Sequence, residues 1–251
     1  MPIEKTYFET KITVGELRQK LSRSELAALS VSSYCASDVN NFSKLTWLSN
    51  FEPSGSTAID WMKYGQEVGL LRALTIRLFE FWRFIQRCKN QNGDVGEIAC
   101  EVTTEFFWIE DSVGYDVASK IRDTATAHTS LKDAKQAADT LADELEITFL
   151  DTANRHNSFY SLGEEAFIFG QLSALIDDQH SVGDLIECWF GWAESVANVL
   201  TVFHVRLVER LVLNRFPECR PVELQIPFPE NLVIDGSGPV QLPVYVENMK
   251  P

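Results

Sequence analysis

Leu71, Leu74, Leu78, Phe81 and Ile85 recur at alternating three- and four-residue steps, the spacing that lines one face of an α-helix. A β-strand cannot use that period, because its side chains change face at every residue. The stripe predicts a long amphipathic helix from about Thr57 to Lys89. The loop signal Phe51-Glu52-Pro53-Ser54-Gly55-Ser56 opens it, and a Gly/Asn-rich break from Asn90 to Gly96 closes it.

The same reading predicts further helices. Leu17, Leu21, Ala28 and Leu29 mark one from Val14 to about Cys35. Asp111-Ser112 offers a cap for a helix that runs toward Arg122. Leu131, Ala134, Ala138, Leu141, Leu145 and Phe149 mark one from Ser130 to about Asn154. Residues 163–176 and 182–216 give two more, the second with Val196, Leu200, Phe203, Leu207 and Leu211 on one face. The aromatic run Phe106-Phe107-Trp108 has no decisive period.

These patterns predict an all-α fold: a multi-helix bundle over residues 1–216, without an internal split, followed by a short proline-rich tail, extended or β, over 217–251. Seven of the nine prolines lie at Pro217 or later, where they exclude a helix. Within the tail, Leu232-Val233-Ile234 and Val240 to Val246 flank Asp235-Gly236-Ser237-Gly238, a loose hairpin pattern that Pro239 and Pro243 confine to a sheet edge. Such a tail packs on its own bundle or docks onto a partner subunit.

A hydrophobic fraction of 45% and a charged fraction of 23% are those of an ordinary folded, soluble chain. The net charge of −14 sets the average surface against phosphate backbones and anionic membranes, so no DNA-coating or membrane role is expected. The charge is uneven. Acidic residues dominate between Leu131 and Leu200, whereas Lys63, Arg72, Arg77, Arg83, Arg87 and Lys89 meet only Glu67 and Glu80 between Trp61 and Asn90. On a wheel of about 100° per residue Arg72, Arg83 and Arg87 share one narrow arc, read either as a solvated flank or as a phosphate-contacting face.

Five cysteines without paired spacing indicate buried free thiols rather than a disulfide framework or a zinc knuckle. The N-terminus shows no secretory pattern, and no stretch reaches the roughly 18 apolar residues a membrane span needs. A cytoplasmic protein is the expectation.

No phosphate loop, nucleophile elbow, HExxH or EF-hand pattern is present. Asp177, Asp178, His180 and Asp184 are the one compact set of possible metal ligands, but a loop before a helix uses carboxylates for capping, and no metal site is assigned. His156 and His204 have no nucleophile or carboxylate close in sequence and read as satisfied or exposed imidazoles.

In Arg122-Asp123-Thr124-Ala125-Thr126-Ala127-His128, a permanent cation, a carboxylate and an imidazole fall within seven residues at the junction of two predicted helices. The run resembles the signature of the HEPN superfamily: an Arg, a polar residue, then a His four to six residues after the Arg. Here five residues separate Arg122 and His128, Asp123 fills the polar position, and Ala127 precedes the His, as in abortive-infection-type members. The resemblance spans about Thr57 to Asn157; the N-terminal helices, the helices after Gly163 and the proline-rich tail depart from a minimal domain of that family.

The resemblance implies a metal-independent endoribonuclease, a toxin or phage-defence component, with no cofactor. Cleaving RNA through its own 2′-hydroxyl needs a base, an acid and a cation for the charged phosphorane. His128 has the proton affinity for the first two roles, Arg122 the fork that holds a phosphate, and Asp123 orients either. Arg72, Arg83, Arg87 and Lys120 are the candidate substrate contacts. Two proton-transfer groups are needed and one His stands at the motif, so a homodimer with paired motifs is expected, as in the family. A neutralising protein partner is the further expectation.

One geometric demand follows. Residues six apart sit about 240° around a straight helix, so Arg122 and His128 share a face only if the helix bends or begins within the motif, which the β-branched Thr124 and Thr126 permit. Two readings compete with the nuclease: a non-catalytic helical assembly protein that uses the acidic stretch and the tail, and a small-molecule enzyme with Phe106 to Trp108 lining a pocket.

Overall fold

The computed structural model describes residues 3–49, 55–123, 135, 138–139, 141–150, 159–173, 175, 180–219 and 221–228. It is all-α in class, with helices joined by two short two-stranded ribbons. The elements run β1 (Ile3–Glu9), α1 (Val14–Lys20), α2 (Arg23–Ser49), α3 (Thr57–Cys88), α4 (Asp94–Glu105), a 3-10 turn (Phe107–Ile109) and α5 (Val113–Ile121). After these come β2 (Phe149–Leu150), β3 (Phe159–Tyr160), α6 (Ser161–Glu164), a π segment (Glu165–Phe169) and α7 (Gly170–Ser173). Helix α8 (Val182–Leu207), a second π segment (Val208–Leu213) and β4 (Val222–Phe228) complete the order.

The predicted helix over 57–89 forms as α3, and its stripe is core: Leu71, Leu74, Leu78, Phe81 and Ile85 are each at most 6% exposed. The face of α8 that carries Val196, Leu200, Phe203 and Leu207, continued by Leu211 in the second π segment, is likewise buried. Ser112 caps α5 as expected, its side chain accepting from the Tyr115 N–H.

Three expectations are corrected. The helix expected over Val14 to Cys35 is two helices, because the backbone is extended at Leu21. The chain restarts with the Ser22 N–H donating to Glu25 and the Glu25 N–H donating to Ser22 Oγ, a reciprocal cap. The helix expected to run to Asn154 is absent over 141–150, where turn and extended chain end in β2. Ile147, Thr148 and Phe149 suit a strand, and Phe149 and Leu150 pair with Tyr160 and Phe159. The last long helix does not reach Phe216 in α form; it widens to π winding at Val208 and ends at Leu213.

The N-terminal strand was not anticipated. β1 pairs antiparallel with β4, Ile3 opposite Phe228 through Glu9 opposite Val222, so the start of the proline-rich tail is a strand that holds the N-terminus. The hairpin pattern over 232–246 lies outside the described residues.

Two compact units interleave along the chain. Among the described residues the first draws on 3–38, 81–106 and 198–228, the second on 39–80 and 107–197. Three of the divisions fall inside α2, α3 and α8 and a fourth between α4 and the 3-10 turn, and no Pro/Gly-rich linker marks them.

In the first unit, Phe203 meets Phe81 and Phe84 with ring centroids 6.0 Å and 6.2 Å apart. Around that core runs a set of ion pairs. Arg206 and Arg210 reach Glu97, Glu101 and Glu105 of α4, and Arg215 bridges Glu25 and Asp94 at 2.6 Å each. The Arg215 hydrogen bond, reinforced by the Ser22 N–H and hydroxyl against the effect of burial, pulls the Glu25 carboxyl from an ordinary 4.5 down to about 2.

A carboxyl whose folded-state value lies below its unfolded one contributes stability that is complete above pH 4.5 and is lost as pH falls from there toward 2. The linked contribution is at most about 3 kcal/mol. Glu25→Gln is therefore expected to flatten the fall in stability between pH 5 and pH 2.5, read as urea midpoints. An acid limb as steep as that of the unaltered chain would show that Glu25 is not the titrating group.

Candidate functional site

The second unit holds Arg122 and Asp123. They sit where α5 ends, and the winding widens from α to π at these two residues. Departures from α winding of this kind recur at functional positions. His128 and residues 124–127 lie outside the described residues.

Why the chain folds this way locally is plain from α5. Gly114, Val117, Ala118 and Ile121 face inward, so Lys120 and Arg122 fall at its edge and Asp123 on the exposed side. The Arg122 guanidinium stands over the Phe79 ring, its carbon 4.9 Å from the ring centroid, a cation–π contact that holds it against the core. Phe79 is itself wedged between Trp192 and Tyr115, with centroid separations of 4.8 Å and 5.2 Å. Arg122 thus rests on buried aromatics rather than waving in solvent. The Trp192 indole is buried as well, and its N–H meets no acceptor among the described residues.

Asp123 completes the arrangement. Arg122 donates from both Nε (2.9 Å) and Nη2 (2.5 Å) to the same Asp123 oxygen, Oδ1. The Arg122 side chain is 20% exposed and Asp123 56%, so the pair is at the surface with its cation backed by the core.

The other sequence candidates are placed separately. Arg72 belongs to the second unit, where its Nη2 donates to Glu164 at 2.9 Å, so its charge is already answered inside the fold. Lys120 is partly exposed in the last turn of α5, two residues before Arg122. Arg83 and Arg87 are exposed and belong to the first unit. Lys63, counted in the basic ground of the sequence, is buried.

Sequence reasoning missed the acidic ground near Arg72. Burial raises the Glu67, Glu164 and Glu165 carboxyls above their ordinary range, with Arg72 opposing the shift at Glu164. Burial, helped by these carboxylates, pushes the Tyr64 phenol far up as well. Glu164 immediately precedes the π segment.

His204, read from the sequence as a satisfied or exposed imidazole, has a partner that the sequence did not announce, Ser32, whose Oγ lies 3.1 Å from its Nδ1 in the first unit. A Ser–His contact invites a nucleophile reading, but Ser32 is fully buried and donates to the Leu29 carbonyl at 3.0 Å. Nδ1 then carries the proton and donates to the hydroxyl, the reverse of what activation of the serine requires. Burial lowers the His204 pKa and keeps the ring neutral.

The possible ligand set before α8 resolves differently. Asp184 accepts from the Ser181 N–H (2.7 Å) and hydroxyl (2.6 Å), and its own N–H donates back to Ser181 Oγ (3.3 Å), so it caps the helix. Asp177 and Asp178 lie outside the described residues, and no group of metal-ligating side chains occurs among the described ones. No described helix is long and apolar enough to cross a membrane.

Comparison with protein-family models, with curated proteins and with solved structures returns no match for this chain.

Proposed function

We propose that this chain is a metal-independent endoribonuclease of HEPN type, in which Arg122 holds the scissile phosphate, His128 transfers protons and Asp123 orients the guanidinium. The observation that carries the reading is Arg122 itself, a surface cation seated on the buried Phe79 ring and hydrogen-bonded to Asp123 at the end of α5. A guanidinium held against an aromatic ring loses less freedom when it takes a phosphate than one on a mobile side chain.

In the reaction the 2′-oxygen attacks the adjacent phosphorus, the bond to the 5′-oxygen breaks, and a 2′,3′-cyclic phosphate and a 5′-hydroxyl result. One imidazole takes the 2′-hydroxyl proton and a second group protonates the leaving oxygen. Pairing two copies of the chain supplies that second group, so the working form is a homodimer. Lys120, two residues from Arg122, is the further phosphate contact, with Arg72 held back by Glu164. The setting that suits such chemistry is the cytoplasm, in a toxin or phage-defence role restrained by a neutralising protein.

The test is cleavage of a mixed RNA pool in EDTA by the unaltered chain, Arg122→Ala and His128→Ala at matched oligomeric state. Loss of about 10²- to 10⁴-fold in rate is expected for each, the range for removing a charge-stabilising or proton-transferring group. Equal behaviour of all three would end the reading.

A second reading, a non-catalytic assembly protein, is favoured by the 3-10 turn before α5. Phe107 is 71% exposed and Trp108 43%, with Val113 also open, apolar side chains that a partner could cover. It predicts that Phe107→Ser with Trp108→Ser abolishes self-association or partner capture while the RNA pool stays intact with every variant.

A further inference from the structure

Asp123 has a second role in the geometry, one that rests on the phosphate-holding role of Arg122. The edge of a guanidinium formed by Nε and Nη2 is one of the two on which a phosphate binds through two parallel N–H donors. In this structure both donors of that edge converge on Asp123 Oδ1. The carboxylate comes from the next residue in the chain, so no long loop has to be ordered to keep it there.

The Arg122 guanidinium cannot swing away from Asp123 without giving up its contact with Phe79. It lies over Phe79, which is 1% exposed and packed between Trp192 and Tyr115. An incoming anion that uses the Nε/Nη2 edge must therefore displace Asp123 rather than bypass it. Asp123, 56% exposed, has room to swing into solvent when displaced.

We propose that Asp123 is a built-in competitor for the anion: its carboxylate occupies the phosphate-binding edge of Arg122 in the resting chain and is displaced on binding. A lone phosphate has to overcome both the Arg–Asp contact and the charge of the carboxylate. A polyanion anchored at Lys120 or at other cations arrives with the added attraction needed to open the pair, since a second anchored contact acts at high effective concentration. Regulation of this kind sets the site against free phosphate and in favour of an extended phosphate backbone.

The experiment uses inorganic phosphate as the probe and the full chain. The Arg122 Nε–H resonance is assigned by its loss in Arg122→Lys, and phosphate is titrated at low and at physiological salt. Neutral replacements, Asp123→Asn and Asp123→Ala, are expected to bind phosphate roughly 3- to 5-fold more tightly than the unaltered chain, the upper end of what an exposed ion pair contributes. The gain should shrink with added salt. Asp123→Glu, which restores a carboxylate, is expected to return the affinity close to that of the unaltered chain.

Equal or weaker phosphate binding by both neutral variants overturns the proposal, as does the absence of any Arg122-dependent phosphate shift. Cleavage assays on the same proteins separate it from the nuclease reading. Tighter phosphate binding by Asp123→Asn without RNA cleavage by any variant keeps the competitor role and removes the nuclease. Arg122-dependent cleavage with no gain in phosphate affinity does the reverse, and leaves Asp123 as a positioning residue alone.

Discussion

Trp189→Ala is expected to lower the unfolding free energy by about 3–5 kcal/mol, the range for truncating a large buried aromatic. Trp189 is 1% exposed on α8, and its indole N–H donates to Thr75 Oγ1 at 2.9 Å. Thr75, itself fully buried on α3, donates its own hydroxyl to the Leu71 carbonyl at 2.8 Å. Truncation therefore opens a cavity among rings and methyls and also leaves the threonine oxygen with one partner fewer. Urea unfolding monitored in the far ultraviolet reads the change as a lower midpoint at unchanged slope.

The two contributions separate in a cycle. Thr75→Val alone strands the buried indole donor and is expected to cost about 1–3 kcal/mol. Trp189→Phe alone removes the donor but keeps most of the ring. If the hydrogen bond matters as argued, the double variant loses less than the sum of the two. Strict additivity would assign the whole effect to packing.

Helix faces were readable because burial imposes a period, and every residue of the α3 stripe and of the α8 face lies in the core as the period requires. Helix ends were less so. The break at Leu21-Ser22 was written in Ser22-Arg23-Ser24-Glu25, a capping pattern, yet good helix formers on both sides hid it. Residues 141–150 kept a three-four spacing while their β-branched and aromatic content suited a strand.

Long-range partners had no local signal at all. Nothing in Thr6 announces Gln225, whose side chain shares hydrogen bonds with it across 219 positions. The candidate site divides along the same line. Arg122-Asp123 was visible because its members are neighbours, whereas Phe79 beneath Arg122 is visible only once α3 and α5 are packed. The helical wheel put Arg72 in one arc with Arg83 and Arg87, but a wheel gives direction and not company, and Glu164 stands where Arg72 points.

Gly114→Ala is the substitution that ties this packing to the site. A β-carbon at Gly114 would lie 2.2 Å from the Cys188 carbonyl oxygen and 2.7 Å from Trp192 Cβ. The obstacle is the backbone and the first side-chain carbon of α8, neither of which can rotate aside, so α5 has to move. Against a helix-propensity gain of about 1 kcal/mol from Gly to Ala, overpacking of about 1–3 kcal/mol or more wins. Gly191→Ala is the control: it meets nothing within 4 Å on the same helix α8, and a stability gain of up to about 1 kcal/mol is expected. Because α5 carries Arg122 onto Phe79, its displacement at Gly114 should also loosen that seat. Under the nuclease reading, Gly114→Ala should then lose cleavage at temperatures where circular dichroism still shows it folded, and should lose the dependence of phosphate binding on Asp123. Full activity together with a lowered melting temperature would mean that the seat on Phe79 tolerates movement of α5, and that the site depends on Arg122 and Asp123 more than on the packing beneath them.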